Sequence, residues 1–314
     1  MDLTTMLPPR PDRRWTLARQ LGLSTAVVRF WGEDEWWDYN TLLRTNARFE
    51  SHGLSLDVVE DRPPMEKTVL GKEGRDEEIE QVKQLIRNMG RAGIDSYCWV
   101  WTEHPLGVIR TSDSIPLRGG SRTTGYDHER IERAEDHPAA DIPEEQLWNN
   151  LQYFLDEIVP VAEEAGVNLA LHPDDPPVPR IRGVPRLVSS VENYERILDM
   201  YDSPNHGITF CQGNFAAMGA DIPATIRKFG DRIHFVHFRD VKGTAESFVE
   251  TWQDSGPTDM KTAIRAYEEI GFDGPIRPDH VPRMFGEEDR EEAMSGYTDR
   301  GRLFAIGYIR GLLE

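Results

Sequence analysis

The stretch EEAGVNLALHPDDPP, residues 163–177, holds a helix end, a buried strand and a polar stop. Upstream, EEQLWNNLQYFLDEIVPVAEEAG (144–166) carries apolar residues at helical spacing and closes on Gly166, a residue that accepts the left-handed turn ending a helix. VNLAL is apolar on both faces and strand-length, the signature of a parallel strand covered on both sides. It ends on His172, and the Pro and Asp residues that follow cannot extend a ladder. Downstream, SSVENYERILDMY (189–201) reads as a helix opened by a serine cap.

The same helix–strand alternation extends in both directions. Before it come strands at LTTML (3–7), TAVVRFWG (25–32), LSLDVVE (54–60) and DSYCWVWT (95–102). Helices separate them at 13–22, 36–53 and 75–93. After it come strands at HGITFCQGN (206–214), RIHFVHFRDV (232–241) and PIRPDHV (275–281), with helices at 221–231, 258–274 and 298–314. Eight strands each followed by a helix predict an α/β fold of the (β/α)8 TIM-barrel type, as a single domain over residues 1–314. The competing architecture is a doubly wound open sheet. No G-x-G-x-x-G follows the first strand, which weighs against dinucleotide binding. The stretch from Glu103 to about Pro143 lacks periodicity and is expected to be a long active-site loop, with His104 and His128 as lining candidates.

Composition narrows the function. The formal charge is −19, and only six of 36 basic side chains are lysine, a balance that suits a high-salt cytoplasm and repels nucleic acid. No apolar run approaches a membrane span, and the start lacks a basic-then-apolar leader. Two cysteines, Cys98 and Cys211, make no disulfide framework, so a cytoplasmic location is expected.

In such barrels chemistry gathers where strands end. The last four strand ends carry His172, Cys211, His237 and Asp279, spaced 39, 26 and 42 residues apart, about one barrel unit or more each. Singly, each has an ordinary structural explanation: a capping histidine, a small buried thiol, a turn aspartate. Together, two imidazoles, a thiol and a carboxylate on consecutive strand ends form a ligand set for a divalent metal. Of the two histidines in IHFVHFRD, side-chain alternation sends His234 toward the helices and leaves His237 for the mouth, with Arg239 on the same face.

LALHPDDPP (169–177), GITFCQGN (207–214), IHFVHFRDVKG (233–243), GFDGPIRPDH (271–280) and GYTDRGRLFAIGYIRGL (296–312) resemble the D-mannonate dehydratase family of xylose-isomerase-like barrels. The resemblance implies His172, Cys211, His237 and Asp279 as metal ligands, with Mn2+ as the usual ion. It also implies His280 and Tyr297 as the acid–base pair. Arg110 and Arg239 are candidates to bind the substrate carboxylate by paired hydrogen bonds. The expected reaction removes water from a sugar acid, D-mannonate giving 2-keto-3-deoxy-D-gluconate, in a homo-oligomer, with a dimer expected. Four positions depart from the family pattern: Val281 stands for a glycine, Gln212 and Gly213 for a threonine and a serine, and Ile109 for a tryptophan. Two other functions compete. One is a sugar isomerase or epimerase of the same superfamily, whose metal sites present more carboxylates. The other is a sugar-acid-binding barrel that has lost turnover.

Overall fold

The computed structural model describes residues 1–30, 34–102, 109–287 and 296–314. Its frame is a parallel sheet whose strands are Thr25–Val28, Ser55–Glu60, Ser96–Val100, Asn168–His172, His206–Cys211, Ile233–His237 and Pro275–Arg277, each hydrogen-bonded to the next in chain order. The two outermost members of this ladder, Asp2–Leu3 and Met6–Leu7, are neighbours in sequence. Asp2–Leu3 pairs with Pro275–Ile276 and Met6–Leu7 with Val27–Val28, while Thr4 N donates to Ile276 O and Val27 N to Thr5 O. The sheet therefore curls until one short segment touches both of its edges.

Buried apolar residues lie on both sides of the curl. Inside, Met6, Val27, Val58, Cys98, Ala170 and Phe235 form one cluster, each from a different strand, and Tyr297 packs against it. Outside, the helices lay their apolar faces on the sheet. Glu144–Ala165 buries Leu147, Leu151, Phe154, Leu155 and Ile158 there, and each fully buried side chain of this size contributes about 1.5–3 kcal/mol. The expected punctuation holds where Ser190 accepts from Asn193 N and Gly166 adopts φ +67° after the long helix; Asp221 also caps Ile222–Phe229.

The structure corrects the expectation of an irregular stretch over 103–143. Its described part contains the hairpin Ser112–Pro116 and Arg122–Asp127. A second hairpin, Val241–Thr244 with Ser247–Glu250, joins it to make a four-stranded antiparallel sheet. The pairing partner lies more than a hundred residues away, so no local pattern announces it. The seventh strand is also shorter than expected. It stops at His237, and Val241 begins the second hairpin. Among the described residues no helix is long and apolar enough to cross a membrane. His104 lies outside the described residues.

Candidate active site and metal centre

Three parallel strands end on His172, Cys211 and His237, and Asp279 follows Arg277, the last residue of the fourth, by two positions. Register aligns Cys211 with His237 and His237 with Arg277, so the ends are level. All four side chains are buried. Ligand-type atoms of His172, Cys211 and His237 lie within 4.8 Å of one another. Asp279 Oδ2 lies 3.7 Å from His237 Nδ1 and 3.9 Å from Cys211 Sγ. The structure thus brings all four predicted residues to one centre.

Their hydrogen bonds suit a cation. His172 Nδ1 lies 2.7 Å from Pro173 O, and a carbonyl only accepts, so Nδ1 carries the proton and Nε2 keeps its lone pair. Burial pushes the His172 pKa down, which favours the neutral ring. Among the described residues neither ring nitrogen of His237 completes a hydrogen bond, although both are buried and Nε2 lies 3.3 Å from Glu60 Oε2. Burial opposes ionisation of Asp279, yet His280, Arg277, His237 and Arg239 outweigh it and hold the carboxyl well below its usual range. Lone pairs on two imidazoles, a sulfur and an ionised carboxylate at one point are a donor set that fits a divalent ion.

The arginines stand differently from the sequence expectation. Arg110 Nη1 and Nη2 clasp Asp175 at 2.7 and 2.9 Å, and Nη2 also donates to Glu250 Oε1 at 2.6 Å. Arg239 donates to Glu250, Asp175 and Asn214, and its Nε lies 3.1 Å from Asp279 Oδ2 and 3.3 Å from Cys211 Sγ. Gly213 makes this reach possible, since a Cβ there would come within 2.9 Å of the Arg239 side chain. Both guanidiniums are already engaged by carboxylates, and of their nitrogens Arg110 Nε has no partner among the described residues.

His280 Nδ1 sits 2.9 Å from Glu250 Oε1 and 2.8 Å from Arg239 Nη1, with Nε2 4.0 Å from Asp279 Oδ2. Tyr297 donates its hydroxyl to Asp279 Oδ1 at 2.9 Å and meets the His280 ring edge-on at 5.2 Å. Burial, reinforced by Asp279, pushes the Tyr297 phenol far up, so it stays protonated. His234 keeps away from this centre, its Nδ1 donating to Leu169 O, and His128 pairs with Tyr126 on the antiparallel sheet.

Sequence reasoning missed four members of the site. Glu60 ends the third strand, binds Arg277 through both oxygens at 2.6 and 3.0 Å, and lies 3.3 Å from His237 Nε2. Arg277 also reaches Asp279 Oδ1 at 3.0 Å. Glu60 and Arg277 stand at strand ends, and the rule applied to the last four strands would have found Glu60 had it been applied to all. Glu250 and Asn214 carried no such signal. Asp175, in the loop that follows His172, anchors both arginines.

Comparison with known proteins gives the family. The family model described as D-mannonate dehydratase (UxuA) matches residues 18–314. A mannonate dehydratase of Halalkalibacterium halodurans is 39% identical over 307 residues, covering 88% of this chain and 87% of its own. The Thermotoga maritima mannonate dehydratase is 37% identical over 317 residues, covering 89% and 86%. The crystal structure of mannonate dehydratase from Streptococcus suis serotype 2 superposes with a TM-score of 0.91 at 32% identity, covering 100% of this chain and 94% of that one. A D-psicose 3-epimerase from Clostridium cellulolyticum H10 shares the fold alone, with a TM-score of 0.66 at 14% identity. Matched over nearly its whole length, the chain belongs to the D-mannonate dehydratase family.

Proposed function

We propose that this protein is a hydro-lyase that converts D-mannonate to 2-keto-3-deoxy-D-gluconate and water, using a divalent ion held by His172, Cys211, His237 and Asp279. The observation that carries the reading is the convergence of those four donors on one buried point, in a chain of this family. The ion's role is Lewis-acid stabilisation of the negative charge that builds on the substrate as its C2 proton leaves. The protein's own groups do the rest. His280 and Tyr297 divide two proton transfers: one takes the C2 proton, the other delivers a proton to the departing C3 hydroxyl, which leaves as water. The resulting enol gains a proton at C3 as its C2 hydroxyl gives one up, and becomes the keto acid. Asp175 and Glu250 hold Arg110 and Arg239 in fixed orientations beside the centre, where Arg110 binds the substrate carboxylate through its remaining Nε donor and both guanidiniums attract it by charge.

The reading takes Asp2–Leu7 as one strand, which closes a (β/α)8 barrel in a single domain over 1–314. It takes manganese as the ion, a cytoplasmic location and a homodimer, carried by the family resemblance and the acidic, lysine-poor composition.

Chelation tests it. Metal-stripped protein should lose conversion of D-mannonate and regain it with Mn2+, with a keto-deoxy acid as product. Undiminished conversion after stripping overturns the ion's role, and a rearranged sugar acid as product overturns the dehydration.

A further inference from the structure

His237 belongs to two triads at once. One is the proposed ion site with His172 and Cys211, and the other is Glu60, Cys98 and His237, whose ligand-type atoms also lie within 4.8 Å of one another. The second triad is no second ion site. Both Glu60 oxygens already accept guanidinium N–H groups from Arg277, and Arg277 would place a positive charge against any cation there. Cys98 lies in the apolar inner cluster and receives a hydrogen bond from Thr209 Oγ1 at 3.2 Å.

The two ring nitrogens of His237 face different neighbours. Nε2 looks to Glu60 Oε2 at 3.3 Å, and Nδ1 looks to Asp279 Oδ2 at 3.7 Å. Both carboxylates are engaged by arginines and can only accept, and neither contact completes a hydrogen bond; Glu60 stands the closer of the two, so a proton on Nε2 is favoured and the lone pair falls on Nδ1. Glu60 also holds Arg277, which pairs at 3.0 Å with the Asp279 oxygen that accepts from Tyr297. One side chain at the end of the third strand therefore orients two of the four proposed ligands, His237 directly and Asp279 through Arg277.

We infer that Glu60 is the positioning residue of the metal centre: it fixes His237 as the Nε2–H tautomer, so that His237 binds the ion through Nδ1 while His172 binds through Nε2. This rests on the ion site proposed above. Carboxylates placed behind a ligating histidine in this way typically account for about ten- to hundredfold in metal affinity.

Cadmium-113 is the probe, added to metal-stripped protein labelled with nitrogen-15 in its histidines. Scalar coupling to cadmium should appear at Nδ1 of His237, identified by its loss in His237→Gln, and at Nε2 of His172. Coupling at Nε2 of His237 overturns the inference, and this measurement needs no Glu60 variant to fold. In Glu60→Gln, cadmium affinity should fall about ten- to hundredfold. The cadmium–thiolate absorption of Cys211 should still form at saturation, and Glu60→Asp should recover part of the loss. Unchanged affinity in a folded Glu60→Gln overturns the inference while leaving the ion site standing. Absence of both the thiolate absorption and any His172 coupling in the parent protein removes the ion site itself, and the role of Glu60 with it.

Discussion

The strand Ser55–Glu60 carries two carboxylates with opposite fates. Glu60, at the mouth, is driven upward by burial, but Arg277 and His237 overcome it and hold the pKa at about 2. Asp57, toward the other end, is also driven upward by burial, and with Asp2 and Asp95 nearby instead of a cation it reaches about 6 despite a hydrogen bond from Ser55. The same chemical group on one strand is a paired anion at one end and a reluctant one at the other. Buried charge in this protein is concentrated where it is compensated, and that is the end where the proposed ligands meet. Removing an anion at the mouth should therefore be damaging, and removing one at the foot should help.

The sharpest way to break this contrast is Cys211→Ala. Loss of the sulfur should abolish stoichiometric metal binding and lower turnover of D-mannonate by about a thousandfold or more, read by metal analysis and keto-acid formation. Retained metal and rate would show that the mouth does not depend on this sulfur. Tyr297→Phe comes next. It removes the hydroxyl that donates to Asp279 and should lower kcat by about 10²–10⁴-fold with metal content unchanged. A normal rate would take Tyr297 out of the chemistry.

Glu250→Gln tests compensation itself. Glu250 is 1% exposed and is shared by Arg110, Arg239 and His280, so neutralising it leaves buried cations short of an anion. Urea unfolding should show a loss of about 3–5 kcal/mol. A loss under about 1 kcal/mol would mean that Asp175 alone suffices.

At the foot the sign reverses. The folded-state pKa of Asp57 lies above the unfolded value of 3.8, at about 6, so the folded protein holds this proton more tightly. The resulting stabilisation is complete below the unfolded value and is lost as pH rises from about 4 through about 6. Asp57→Asn should thus raise Tm at pH 8 by about 2 °C and change it little at pH 4. An equal shift at both pH values would contradict the assignment.

How much of this was legible in sequence follows the same division. His172, Cys211 and His237 end strands whose apolar runs and flanking helices are local signals, so chain order alone sets them side by side. Asp279 was found in the same way. The site's framework was harder to read because it is built across distance. Glu250 lies on a four-residue strand whose partner, Arg122–Asp127, precedes it by more than a hundred residues, and neither has a distinctive period. Asn214 sits in a six-residue helix directly after Cys211 and reaches Arg239, a contact that Gly213 permits and that no spacing rule anticipates. The arginines were recognised as site residues, but their carboxylate partners were not, since an ion pair between remote segments leaves no mark in either one.

The most direct test of the account is anomalous diffraction across the manganese absorption edge from crystals of the manganese-loaded protein. The account requires one anomalous peak inside the curl of the sheet, in contact with His172, Cys211, His237 and Asp279 together. A peak elsewhere, or one touching only one or two of these side chains, would contradict it.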